Sequence, residues 1–178
     1  GERPMCPVCR LELHASPDEL TSRAWGLIDR ALAITDAPQL KAQFVERAEA
    51  FLRLALREEP EHAQAHNHLG YILNALKHDN VSGEKHYRRA IEINPKYARA
   101  HYNLGVLLEN QRQDYDGAEA MFRKAIELDP KHAIAHNNLG LVLQYVRKDY
   151  DGAEKMYRKA IDLDPKDAMA HTNLGLLL

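Results

Sequence analysis

Two cysteines near the start of the chain are the residues whose type and spacing best suit chemistry. Cys6 and Cys9 are the only cysteines, and two residues separate them. Two thiolates at this spacing form half of a tetrahedral zinc site. His14 is a candidate third ligand, although its spacing matches no familiar zinc pattern. A redox role is disfavoured, because no strand–helix pattern typical of a thioredoxin fold follows.

The residues around this pair suggest a particular zinc module. Positions 6–10 read Cys-Pro-Val-Cys-Arg and are followed by Leu11 and Leu13. This stretch resembles the closing cysteine pair of a RING finger, the zinc module of many ubiquitin ligases. The other ligands would precede Gly1, so we expect no cofactor in the chain itself and zinc only in a longer parent protein. The alternative is a leader segment with two surface thiols.

Histidine recurs at one position of a repeating pattern, as His66, His101, His136 and His171. Regularly spaced imidazoles could bind a metal or respond to pH. Stacked helices would hold them about 10 Å or more apart, and no carboxylate pattern accompanies them, so we interpret them as packing residues.

No nucleophile elbow, phosphate loop or zinc-protease motif is present, and we expect no enzymatic activity.

These histidines belong to a repeat of 35 residues. The first block of the repeat occupies positions 65–70, 100–105, 135–140 and 170–175. A second block occupies positions 87–91, 122–126 and 157–161, and a proline follows each copy. Internal repeats of this length are typical of stacked supersecondary units. The chain starts without Met and stops within this pattern, so we expect it to be a piece of a longer protein.

Each block has the period of an amphipathic helix. In the first block, His101, Leu104, Gly105 and Leu108 lie on one helical face. The proline after the second block prevents that helix from continuing. Glycine inside a helix costs about 1 kcal/mol relative to alanine, so its recurrence predicts close contact between packed helices. The pattern therefore predicts stacked antiparallel helical hairpins.

The repeat resembles the tetratricopeptide repeat. The matching positions, in order, are Leu104, Gly105, Ala118, Phe122, Ala125 and Pro130. That family usually has about 34 residues per repeat, and we expect the extra residue to lengthen the turn near positions 111–115. Histidine replaces the family's frequent tryptophan. The resemblance covers about residues 63–178 and implies an all-α, right-handed superhelix (an α-solenoid) of antiparallel hairpins.

The predicted organisation has a leader over 1–15, a degenerate helical pair over 16–62, and tetratricopeptide repeats over 63–97, 98–132, 133–167 and 168–178, the last one truncated. Ser16, Pro17 and Glu19 form a helix start signal. This signal predicts a helix from about 17 to 34, and a second helix is expected over 38–59. The pair is expected to cap or continue the stack.

The resemblance also assigns a binding surface. In tetratricopeptide proteins the first helix of each hairpin lines a concave groove, and amide, aromatic and aliphatic side chains there could hydrogen-bond a peptide backbone and offer shallow apolar pockets. Register places these candidate peptide-binding residues in the groove: Asn67, Tyr71, Arg99, Tyr102, Asn103, Asn137, Asn138, Tyr145 and Asn173.

Three of these asparagines, Asn103, Asn138 and Asn173, recur at one position. They are similar to the asparagines in the repeats of O-linked N-acetylglucosamine transferases, which implies that they hold a partner's backbone. The alternative is that they form hydrogen bonds within the repeat. A clamp for a terminal carboxylate is not expected, because only Asn103 fits its pattern and the required cations are missing.

Composition favours a protein partner. The net charge is −2, and without clustered basic residues the chain has no general attraction to nucleic acid or anionic membranes. We predict a cytoplasmic or nuclear scaffold that binds a protein or peptide in its groove. The alternative function is substrate recognition within a RING-type ubiquitin ligase. Self-association through the apolar final segment, 174–178, is a further expectation.

Overall fold

The computed structural model describes residues 15–178, so the predictions for Cys6, Cys9 and His14 lie outside the described residues. The described part is all-α, as predicted, and contains no strand. Its nine helices are α1 (Pro17–Ala33), α2 (Pro38–Glu58), α3 (Ala63–Tyr71), α4 (Asn80–Ile93), α5 (Ala98–Leu107), α6 (Tyr115–Leu128), α7 (Ala133–Leu141), α8 (Tyr150–Leu163) and α9 (Ala168–Leu177).

The described part of the chain divides into two compact units, residues 15–93 (unit 1) and residues 94–178 (unit 2). In unit 1, α1 packs against α2 and α3 packs against α4. In unit 2, α5 packs against α6, α7 packs against α8, and α9 packs against α8. Each unit is therefore built from helical hairpins, which confirms the predicted hairpin architecture.

The start of α1 confirms the predicted helix signal. Ser16 Oγ accepts a hydrogen bond from the Glu19 backbone N–H at 3.2 Å, and Glu19 Oε2 accepts one from the Ser16 N–H at 3.0 Å. Pro17 is the first helical residue, where its missing N–H costs nothing. A capping residue of this kind stabilises a helix by about 1 kcal/mol.

A glycine of each first helix faces an aromatic ring of the second helix in the three complete repeats. A Cβ atom placed on Gly105 would lie 2.8 Å from the Phe122 ring, and one placed on Gly140 would lie 2.5 Å from the Tyr157 ring. Gly70 and Tyr87 make the equivalent contact. All three rings are fully buried. The predicted close contact between helices is thus confirmed for these three glycines.

Each first helix of the complete repeats ends in a feature that the sequence analysis did not predict. A π-helical segment continues it, at Ile72–Leu76, Leu108–Arg112 and Val142–Arg147, and the second of these overlaps positions 111–115, where we expect the extra residue. A π-helical hydrogen bond spans one residue more than an α-helical one, so such a segment can absorb a single inserted residue. His78, Gln113 and Lys148 then adopt left-handed backbone conformations with φ between 52° and 60°.

The glycine contacts predict opposite effects at equivalent positions of two repeats. Gly140→Ala should lower the free energy of unfolding by about 1–3 kcal/mol, because the new methyl group must displace the Tyr157 ring. Gly175→Ala should raise it by about 0.5 kcal/mol, because nothing lies within 4 Å of its Cβ position and alanine favours the helix. Urea unfolding followed by circular dichroism measures both changes. Equal destabilisation by both variants would contradict this packing.

Candidate protein-binding face

The candidate binding residues of unit 2 lie on α5, α7 and α9, or on the π-helical segments that extend them. We call this surface the first-helix face. Its members are exposed or half-buried side chains: Arg99, Tyr102, Asn103, Glu109, Ile134, Asn138, Tyr145, Met169 and Asn173.

Two of the recurring asparagines connect neighbouring first helices. Asn138 Nδ2 on α7 lies 3.5 Å from the Tyr102 hydroxyl on α5, to which it donates. Asn173 Nδ2 on α9 donates to Asn137 Oδ1 on α7 at 2.9 Å. Both bonds join successive repeats, whereas the alternative hypothesis for these asparagines placed their hydrogen bonds within one repeat. In the described part of the chain, Oδ1 of Asn138 and of Asn173 accepts no hydrogen bond.

Tyr102 is held in place by its neighbours. Its ring centroid lies 4.7 Å from that of His132 and 6.0 Å from that of Phe122. His132 also accepts a hydrogen bond from the Ala135 N–H through Nδ1, at 3.3 Å, and so caps α7. Burial lowers the pKa of His132. The pattern analysis did not single out His132, whose position is held by a different residue type in each neighbouring repeat.

Two of the candidate amides, Asn67 and Asn137, are buried, with exposed fractions of 1% and 2%. A partner on the surface therefore has little access to either side chain. Asn137 instead accepts the hydrogen bond from Asn173. Tyr71, in unit 1, is half-buried, and its ring centroid lies 6.0 Å from that of Trp25. Burial raises the pKa of Tyr71.

Apolar side chains stand beside the asparagines on the first-helix face. Ile134, Tyr145 and Met169 are 46%, 55% and 62% exposed. Large apolar side chains with this much exposed surface provide contact area for another molecule. The face thus combines hydrogen-bond acceptors with apolar surface.

Glu109 contributes an ionisable group to the same face. It follows α5 in the first π-helical segment of unit 2 and is half-buried. Burial raises the pKa of its carboxyl group, because partial removal from water penalises the charged form.

The raised pKa predicts that the charge of Glu109 destabilises the folded chain near neutral pH. The unfolded chain loses this proton more readily, so stability falls as pH rises above about 4.5, the ordinary pKa. Glu109→Gln should therefore raise the melting temperature at pH 7 more than at pH 4. Thermal unfolding of both proteins at the two pH values tests this, and an equal shift would exclude a desolvated carboxylate.

The four recurring histidines have one shared hydrogen bond. Nε2 of each donates to the carbonyl of the proline six residues earlier, at 2.9–3.2 Å. His101 and His136 are buried, as the packing interpretation requires. No group of three metal-binding side chains occurs among residues 15–178. The imidazole thus links each first helix to the turn that precedes it, a role that the sequence analysis did not identify.

Protonation of His136 should weaken the fold. Its Nδ1 is buried without a hydrogen-bond partner among the described residues, and burial lowers its pKa below the ordinary 6.5. The unfolded chain therefore binds this proton more readily, and the stability is lost as pH falls below about 6.5. We expect the stability of the wild type relative to His136→Gln to fall between pH 7.5 and pH 5. Urea unfolding at both pH values measures this, and a difference independent of pH would contradict it.

Within the part of the chain that the structure describes, no helix has the length and apolar character needed to cross a membrane.

The stacked helical hairpins define an α-helical repeat protein. The repeats match the tetratricopeptide repeat family, over residues 111–168 and 143–178 in one pattern and over residues 85–111 in another. Residues 85–178 therefore belong to the tetratricopeptide repeat family. No curated protein matches the chain.

Several solved structures are similar. PilF of Pseudomonas aeruginosa is 25% identical, with a TM-score of 0.72 over 91% of this chain and 69% of that chain. An O-GlcNAc transferase of Thermobaculum terrenum is 21% identical, with a TM-score of 0.68 over 89% of this chain and 27% of that one. The first tetratricopeptide domain of Spaghetti (RPAP3), bound to an HSP90 peptide, is 16% identical, with a TM-score of 0.60 over 65% of this chain and 89% of that chain. These similarities support the fold.

Proposed function

We propose that this chain is a non-catalytic scaffold that binds an extended segment of another protein on the first-helix face of unit 2. The observation that carries the proposal is the pair Asn138 and Asn173. Each donates one N–H to the preceding first helix and keeps Oδ1 without a partner among the described residues. A backbone N–H of a bound segment could donate to each of these oxygens.

The repeat spacing suits an extended segment. Packed helices lie about 10 Å apart, and an extended chain rises about 3.3 Å per residue. Acceptors on successive first helices would therefore meet backbone groups about three residues apart. The hydrogen bonds that orient Asn138 and Asn173 fix their amide groups before a partner arrives, which lowers the entropy cost of binding.

The apolar part of the face indicates the side chains that it would accept. Ile134, Tyr145 and Met169 offer exposed apolar surface, so a suitable segment would carry apolar residues between its hydrogen-bonding positions. Arg99 is the one cationic side chain among the nine residues of the first-helix face. The face therefore offers little positive charge to neutralise the terminal carboxylate of a partner. A stretch within the partner's chain, which carries no such carboxylate, suits the face better. The cysteine usage suggests a cytoplasmic or nuclear setting.

Two tyrosines provide a matched test. Tyr145 on the first-helix face and Tyr150 at the start of α8 are 55% and 54% exposed. Tyr145→Ser should weaken binding about tenfold, the effect expected for an aromatic contact residue. Tyr150→Ser should leave binding unchanged. The partner would be captured from the native source with the wild-type chain and identified, and its affinity for each variant would be measured by fluorescence anisotropy.

Circular dichroism would first establish that both variants fold. Full binding by Tyr145→Ser, or equal loss with Tyr150→Ser, would exclude the first-helix face as the binding surface. Loss with Tyr145→Ser alone would support it.

A further inference from the structure

Three of the six residues that line a small cleft in unit 1 are arginines. The cleft has a volume of about 370 Å³ and lies between α1 and α2. Its lining consists of Arg23, Gly26, Leu27, Arg30, Arg47 and Phe51. None of these six described residues is acidic, so the cleft holds three positive charges and no negative one. It belongs to a different unit from the first-helix face and requires no role for that face.

The three arginines have no hydrogen bond or ion pair within residues 15–178. Six other arginines of the described chain are each paired with a carboxylate: Arg53, Arg88, Arg89, Arg123, Arg147 and Arg158. The carboxylates of α1 and α2 that do have partners serve other groups, since Asp18 contacts His62 and Glu49 contacts Lys77. Those six arginines thus have a carboxylate partner, whereas the three at this cleft have none among the described residues.

Favourable interaction with a helix end does not account for the cluster. Arg30 lies in the last turn of α1, where a cation complements the helix dipole. Arg23 and Arg47 lie away from the ends of α1 and α2, where that effect has decayed. Like charges placed around one cleft repel each other, and an anion bound in the cleft would attract each of them and so offset that repulsion.

Gly26 provides a second and independent observation. It lies within α1, between Arg23 and Arg30 on the same helical face, and nothing lies within 4 Å of its Cβ position. Packing therefore does not require glycine here, unlike at Gly105 and Gly140. Glycine inside a helix is unfavourable. Its position in the wall of the cleft keeps the space between the two arginines open and allows close approach to the helix backbone.

The chemistry of the lining indicates the ligand. Each guanidinium presents a planar set of N–H donors that matches the oxygens of a phosphoryl group, and arginine clusters are a recurring means of recognising phosphorylated protein segments. A phosphoryl group brings nearly two negative charges and three acceptor oxygens to one point. Phe51 and Leu27 add apolar surface that could contact the side chain bearing it. We propose that this cleft binds the phosphoryl group of a phosphorylated side chain on a partner protein.

The test is an NMR titration of the ¹⁵N-labelled full chain, observed at the arginine Nε–Hε resonances. The probes are a Gly-Ser peptide with one phosphoserine, the same peptide unphosphorylated, and inorganic phosphate. We expect saturable shifts at Arg23, Arg30 and Arg47 with the phosphopeptide, and none with the unphosphorylated peptide. Arg57, an unpaired arginine of α2 that does not line the cleft, should not shift.

Variants separate a built site from general positive charge. Arg30→Gln and Arg47→Gln should each weaken phosphopeptide binding about tenfold, as for the loss of a charge-assisted hydrogen bond. Arg57→Gln should leave it within twofold. Gly26→Leu fills the cleft without changing any charge, so it should abolish the shifts without lowering the melting temperature.

Three results would overturn the proposal. The first is the absence of saturable shifts at the three arginines. The second is equal weakening by Arg57→Gln, which would mean general attraction of an anion to a positive surface. The third is binding of inorganic phosphate without binding of the phosphopeptide, which would identify a free anion rather than a protein partner as the ligand. None of these results bears on the first-helix face.

Discussion

The contact between a glycine and an aromatic ring determines how each complete hairpin is built. Without a Cβ atom on Gly105 or Gly140, the Phe122 or Tyr157 ring lies directly against the backbone of the first helix. The ring is then fully buried, and large apolar side chains such as these contribute most to the stability of a small core. A larger residue in place of the glycine would push the two helices of the hairpin apart. The contacts between neighbouring hairpins would then change as well, because they depend on the distance between those two helices.

Polar groups then join one element to the next. Histidine hydrogen-bonds the proline carbonyl of the preceding turn, and asparagine connects successive first helices. The asparagine bonds leave an oxygen at the surface of Asn138 and of Asn173. In the proposed complex, the same side chains would both join the repeats and present hydrogen-bond acceptors to the partner. A substitution of either asparagine would therefore change the stability of the stack as well as any binding, whereas a substitution of an exposed tyrosine would not.

Much of the fold could be predicted from the sequence, because the period of apolar residues and the positions of proline and glycine are local signals. The capping box at Ser16 and the close contact at Gly105 are examples. The π-helical segments were not predicted, since an inserted residue can be absorbed by a turn or by a helix and only the hydrogen bonding distinguishes them. The burial of Asn67 and Asn137 was also missed. Helical register places a side chain on a face, whereas burial depends on what the neighbouring repeat places beside it.

The most direct test of the proposed function is hydrogen exchange of the chain with and without an identified partner. Bound protein should reduce the exchange of backbone amides on α5, α7 and α9 more than on α6 and α8, because the partner would cover the first helices of unit 2. Protection confined to α6 and α8, or to unit 1, would contradict the account and place the binding surface elsewhere.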